Sequence, residues 1–198
     1  MVLEAQALNK EIVFIDIDNT LWNFAGALYQ KLIKNKYFVP AIEFWDWHFY
    51  KNYISDKEFK RIVNEIHLEQ EKYEPFEYSM LFLKELRKMG FYITIVTDRI
   101  NDSRYTTERW LVKNHLDFDK LIIAQNKKEF INNRVFLVVD DSPVMLSVAL
   151  RKKVLYTGLE YSWNKTLKQY VPLWNNLKSL KEYVELAISG NPKKEVYL

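Results

Sequence analysis

The feature that most constrains this chain is a series of short apolar runs set between helical patterns. The first is Ile12-Val13-Phe14-Ile15; others follow at Phe91–Val96, Leu121–Ala124, Val135–Val139 and, more weakly, Val154–Tyr156. Such runs are too short for buried helices, and without polar alternation they read as strands covered on both faces. Between them apolar residues recur at helical spacing. Met80, Phe82, Leu83 and Leu86 precede a stop at Gly90. Tyr105, Trp110, Val112 and Leu116 predict a second helix, with Asp102 or Ser103 as its cap, and Ser142-Pro143 has the form of an N-cap followed by a first-turn proline. Leu177, Leu180, Val184 and Ile188 predict a C-terminal helix, and the tail Gly190–Leu198 is expected to be loosely held. Buried strands alternating with helices imply an α/β fold: a Rossmann-like parallel sheet sandwiched by helices.

Residues 22–75 break this alternation. They hold no convincing buried strand, but Phe59, Ile62, Val63 and Ile66 recur at helical spacing, next to the aromatic stretch EFWDWHFYKNY at 43–53. The expected organisation is an α/β core of residues 1–21 and 76–198, with a small helical cap, 22–75, inserted after the first strand. A length of 198 residues suits one domain plus such an insert, and 48% hydrophobic with 28% charged residues implies a folded core rather than disorder.

Composition also excludes several chemistries. The chain has no Cys, so disulfides, thiolate zinc sites and cysteine nucleophiles are absent. Its four glycines cannot build a Gly-rich phosphate loop or a nucleophile elbow. The start, MVLEAQALNKEIV, carries Glu4 and no apolar h-region, and no apolar stretch approaches a membrane span, so a cytoplasmic location without membrane association is expected. The net charge of +3 tolerates anionic substrates but does not by itself argue for nucleic acid.

Carboxylates gather where the apolar runs end. Asp16 and Asp18 follow the first, Thr97 and Asp98 the second, Lys127 and Lys128 the third, and Asp140 and Asp141 the fourth. In open α/β sheets ligands bind beyond the carboxyl ends of the strands, so these residues from distant parts of the chain should meet in one place. Buried carboxylates must be paired, hydrogen-bonded or metal-bound.

In this order, DIDNT, the Thr of IVTDR, a following Lys and VVDDSP resemble the four motifs of the haloacid dehalogenase (HAD) superfamily in its phosphatase branch. The likeness spans about residues 11–156. The insert after the first motif is similar to that superfamily's first type of cap, and DNTLWNF, the aromatic cap and TDR look most like 5'(3')-deoxyribonucleotidase-like members. Asn19 stands where Gly is commoner, which changes the local turn and removes no catalytic group.

The resemblance implies a HAD-like core and a set of roles. Asp16 would be the nucleophile, forming an aspartyl-phosphate. Mg²⁺ would be held by Asp16, the Asp18 backbone carbonyl and Asp141, with Asp140 hydrogen-bonding nearby. The Asp18 side chain would be general acid and then general base, which requires neighbouring carboxylates to raise its pKa. Thr97, with Asp98 beside it, and Lys127 or Lys128 would bind the phosphoryl group. The second Asp of the first motif argues for a phosphatase, since a dehalogenase's halide leaves without a proton.

Phe24, Trp45 and Trp47 are the candidate substrate-facing residues of the cap. Packing within the cap is the default reading for any single one of Phe44, Trp45, Trp47, Phe49, Tyr50 and Tyr53, but a cap this small cannot bury every ring. His48, His67 and His115 lack metal-ligand spacing and read as surface or packing residues. The expected function is a Mg²⁺-dependent phosphomonoesterase acting on a small phosphorylated substrate, a nucleoside monophosphate leading, in a monomer or homodimer. The alternatives are a phosphatase for nucleic-acid 3' ends or for a sugar phosphate, and a non-catalytic nucleotide- or partner-binding protein.

Overall fold

In the computed structural model, which describes residues 10–189, six strands form one parallel sheet in the order β3-β2-β1-β4-β5-β6. They are β1 (Ile12–Ile15), β2 (Tyr92–Asp98), β3 (Lys120–Ala124), β4 (Val135–Val139), β5 (Leu155–Leu159) and β6 (Leu173–Trp174). The five expected strands are present. The sequence reading missed β6, because two residues carry no periodicity. The start of the chain and the tail from Gly190, about which expectations were stated above, lie outside the described residues.

The strands form where expected because both of their faces are covered. Every residue of β4 and β5 is buried, and so are Val13, Phe14 and Ile15 of β1. Helices α1 (Phe24–Lys34), α2 (Asp56–Leu68), α3 (Ser79–Lys88), α4 (Arg104–Lys113), α5 (Pro143–Arg151) and α6 (Leu177–Ser189) supply the layers. Gly90 follows α3 with φ +91°, the left-handed conformation that lets the chain reverse into β2. Ser142 caps α5 as its sequence implies, its hydroxyl accepting from the N–H groups of Val144 and Met145. The cap expected for α4 is not found. Ser103 turns its hydroxyl back to the Ile100 carbonyl instead, and no side chain caps that helix. Its buried face is also different: Thr107, Trp110 and Leu111 point inward, while Tyr105 and Val112 are exposed. The low hydrophobic contrast of RYTTERWLVK left the face ambiguous.

Between β1 and β2 the chain forms α1, three short 3-10 turns, α2 and α3, with no strand. This insert is not a separately cored body. Trp22, Leu28, Leu32, Trp45, Phe49, Ile62 and Ile66 belong to the same buried cluster as Val13, Ile15, Ile93 and Leu137 of the sheet. Among the described residues no helix is long and apolar enough to cross a membrane.

Gly158 shows how tightly the sheet closes beside β4. A Cβ there would lie 2.0 Å from the Asp140 carbonyl oxygen, a backbone atom that cannot move aside. Gly158→Ala should therefore destabilise the fold by about 1–3 kcal/mol, the usual range for overpacking. Urea unfolding with an unchanged midpoint would contradict this.

Candidate active site

The C-terminal edge of the sheet brings the ends of β1, β2 and β4 and the turn after β3 to one pocket. It is lined by Asp16, Asp18, Thr97, Asp98, Lys127 and Asp141, and closed on the far side by aromatic residues of the insert. Oxygen atoms of Asp16, Asp140 and Asp141 lie within 4.8 Å of one another, and all three residues are buried. Lys127 bridges two of them: its Nζ is 3.0 Å from Asp16 Oδ2 and 2.8 Å from Asp140 Oδ2.

The electrostatics follow from burial. Loss of water pushes the Asp16 carboxyl well above the usual range, with Lys127 opposing and Asp140, Asp18 and Asp141 adding to the rise. Burial and the neighbouring Asp140 push Asp141 up to about 7. Asp140 is raised by burial too, restrained by Lys127 and by the Ser142 N–H that its Oδ1 accepts at 2.8 Å. Burial alone would lower the Lys127 pKa, but Asp140 and Asp16 reverse this and keep the ammonium charged.

Three further residues position Asp141. Asn19 lies at φ +56° and its Nδ2 donates to Asp141 Oδ2 at 3.0 Å, while its Oδ1 accepts the Ala25 N–H that opens α1. Asn19 therefore does more than change a turn. Trp163 Nε1 donates to the same Asp141 oxygen at 3.1 Å, and the Trp163 ring stacks on Tyr161, whose hydroxyl donates to the Asn19 carbonyl at 2.8 Å.

The donor set fits a hard divalent cation. Carboxylate oxygens from Asp16 and Asp141 converge, Asp16 Oδ1 is buried without a hydrogen-bond partner, and neither residue is relaxed as an anion without further positive charge. Of the three carboxylates Asp140 is the most fully engaged, by Lys127 and Ser142, so Asp16 and Asp141 are the side chains suited to ligation.

Asp18 departs from expectation. Burial would raise its carboxyl, but Arg99 and His67 hold it well below the usual range. Arg99 donates to Oδ1 at 2.5 Å, Trp22 Nε1 to the same oxygen at 2.8 Å, and His67 Nε2 sits 2.9 Å from Oδ2. Both carboxylate oxygens are engaged by this fork. Arg99 is itself buried and held by Gln70 and Thr107. His67 is thus neither a surface histidine nor a simple packing one, although burial keeps its own pKa low. His48 lines the mouth of the pocket.

The two other corrections concern the phosphate-binding candidates. Lys128 is exposed and does not line the pocket, because neighbouring residues of a turn point opposite ways. Asp98 lines the pocket, but its Oδ1 accepts the Lys127 N–H at 2.8 Å, and a carboxylate has no proton to offer a phosphate. It anchors the turn that delivers Lys127. Thr97 is buried and its hydroxyl has no partner, so it has a hydrogen bond to give.

Phe24, Trp45 and Trp47 all line the pocket. Trp45 is buried, with its ring stacked on Phe49 at 3.7 Å, so it forms a wall, whereas Trp47 is 37% exposed. Sequence reasoning did not find Arg99, His67, Trp22 or Trp163. The sequence held no signal for Arg99, whose acidic partner is Asp18, 81 positions earlier, and not the adjacent Asp98.

Two expected outcomes follow. Arg99→Leu strips Asp18 of its principal partner and should cost about 3–5 kcal/mol, with part recovered by adding Asp18→Asn; chemical denaturation of the two single variants and the double variant checks this, and strict additivity would refute the pairing. The raised Asp141 carboxyl holds its proton below about pH 7, so the ion-free chain loses this contribution to stability as pH rises through that value, and Mg²⁺ must displace the proton. The rise in Tm on adding Mg²⁺ should be larger at pH 8 than at pH 5, and an equal rise at both would refute it.

No family model matches this sequence, and no curated protein does. Solved structures do. A haloacid dehalogenase-like hydrolase of Streptococcus pneumoniae has a TM-score of 0.66 at 12% identity, over 88% of this chain and 98% of that one. A predicted phosphoglycolate phosphatase of Haemophilus somnus has a TM-score of 0.57 at 15% identity, over 88% and 98% of the respective chains. The HAD-hydrolase YfnB of Bacillus subtilis, solved bound to magnesium, has a TM-score of 0.54 at 14% identity, over 89% and 99%. The sheet order, the carboxylates at its C-terminal edge and these likenesses agree that the chain has the haloacid dehalogenase-like fold.

Proposed function

We propose that the chain is a Mg²⁺-dependent phosphomonoesterase that works through an aspartyl-phosphate on Asp16, with a nucleoside monophosphate as its leading substrate. The observation that carries this reading is Asp16 itself: buried, with Oδ1 unpartnered, bridged to Asp140 by the Lys127 ammonium, and close to Asp141 in the lining of a pocket. The hydrolase structures sharing this fold support it.

On this reading an Asp16 carboxylate oxygen attacks phosphorus, the bond from phosphorus to the ester oxygen breaks, and the departing oxygen takes up a proton. Water then cleaves the acyl phosphate and releases inorganic phosphate. Thr97 donates its free hydroxyl to a phosphoryl oxygen, and Lys127 offsets the developing charge. Asp16, Asp141 and the Asp18 backbone carbonyl are the groups that would hold Mg²⁺, whose chemistry is to neutralise the phosphoryl oxygens so that a carboxylate can approach them.

The proposed acid–base role of Asp18 has a condition. In the arrangement found, its carboxylate is an anion in the grip of Arg99, His67 and Trp22. It must turn toward the leaving oxygen and gain a proton as substrate arrives, an uptake favoured by the nearby phosphate dianion. Residues 22–75 act as the cap in this reading, supplying His67 and the aromatic wall.

A nucleoside fits that wall. The chamber of about 340 Å³ has Trp47 and Phe24 along it, and a planar base can lie against an exposed ring face. The test is phosphate release across nucleoside monophosphates, sugar phosphates and 3'-phosphorylated oligonucleotides. With Mg²⁺ the native chain should prefer the first group, and Asp16→Asn should lose roughly a thousandfold or more of the rate. Equal release by native protein and Asp16→Asn would remove the nucleophile.

A further inference from the structure

We propose that the pocket admits only phosphate monoesters whose leaving group carries no second anion, and that Asp46 enforces this. The inference rests on the phosphatase reading above and names the substrate class of the same site. Among the described residues lining the pocket, the carboxylates are Asp16, Asp18, Asp98, Asp141 and Asp46, and the one lysine or arginine is Lys127. Its ammonium is already shared between Asp16 and Asp140. Arg99 is committed to Asp18, Gln70 and Thr107 and does not line the chamber.

A divalent cation and Lys127 together can answer one phosphoryl dianion. Among the described residues lining the pocket, no further lysine or arginine stands ready to answer another negative group. Apart from Asp46, His48 and His67, the lining supplied by residues 22–75 is aromatic and aliphatic, and a carboxylate or phosphate placed against those rings loses water without gaining a partner. Asp46 adds direct repulsion. It sits in the turn between Trp45 and Trp47, which line the chamber with it, and its Oδ1 accepts the His48 N–H at 2.6 Å. This hydrogen bond holds an exposed carboxylate within the lining that a leaving group would meet. The turn does not require the charge, because an asparagine oxygen would accept the same bond. The charge is therefore separable from the geometry. The class that remains is a monophosphate with a flat, uncharged body. Diphosphates, bisphosphates, phosphorylated carboxylic acids and nucleic-acid ends with a flanking phosphodiester are disfavoured.

The test compares two aryl phosphates of the same shape, 4-carbamoylphenyl phosphate and 4-carboxyphenyl phosphate, with native protein and Asp46→Asn in the presence of Mg²⁺. The difference in intrinsic reactivity between the esters cancels when the ratio of their kcat/KM values is compared across proteins. The native ratio should favour the amide, and Asp46→Asn should narrow it by about fivefold, the effect of one partly screened charge at close range. Raising the salt concentration should narrow the native ratio as well, which needs no variant. An equal kcat/KM for both esters in native protein, or a ratio unmoved by both Asp46→Asn and salt, would overturn the selectivity while leaving the phosphatase reading in place. No release from either ester would remove the phosphatase reading, and this inference with it.

Discussion

The bridge from Lys127 to Asp16 and Asp140 is the contact on which the rest of the site depends. Three carboxylates buried within 4.8 Å of one another would repel strongly in a medium that screens poorly. One ammonium between two of them makes the arrangement tolerable before any metal arrives. Its delivery is a matter of topology. The lysine follows β3 at the edge of the sheet, two strands away from β1, and can reach Asp16 only because all strands point the same way and end at the same edge. Asp98 at the end of β2 secures the reach by accepting the Lys127 N–H. Asp98, 29 positions before Lys127, thereby supports a contact between distant strands.

The insert between β1 and β2 is tied to this edge by packing and by charge. Its apolar residues share a core with the sheet, so it rests against the carboxylates rather than swinging freely on a linker. One of its polar ties runs through Asp18, where Trp22 and His67 of the insert meet Arg99 of the core on one carboxylate. Any motion that opens the pocket by moving α2 must break the His67 contact, and with it part of what keeps Asp18 ionised. The aromatic stretch 43–53 divides by a simple rule. Rings that can stack on one another, Trp45 on Phe49 and Tyr50 on Phe59, form the wall, and Phe44 and Trp47 are left to water or to a ligand.

Much of the fold was legible because its signals are local. Apolar runs bounded by Asp, Gly and Ser mark buried strands wherever they occur, and Ser142-Pro143 and Gly90 marked the helix boundaries around them. The weaker expectations came from segments with little contrast: α4, whose inward face was misread, and β6, which is two residues long. That Asp16, Thr97, Asp141 and the Lys127-Lys128 pair gather at one sheet edge was legible because each follows an apolar run; which of the two lysines turns inward was not. His67 and Arg99 were not, because their partner Asp18 lies 49 and 81 positions away and nothing in the spacing joins them.

Taken alone, the order of residues determined that this chain builds a parallel sheet with its carboxylates at the exits of its strands, because strand burial and strand ends are written in short stretches of neighbouring residues. Only the tertiary structure decided what charge each carboxylate carries. Asp16 and Asp141 are pushed up by burial among like charges, and Asp18 is held down by a guanidinium and an imidazole from elsewhere in the chain. The same residue type in the same motif reaches opposite states because a pKa is set by what surrounds the group in space, and those surroundings exist only once distant segments have packed together.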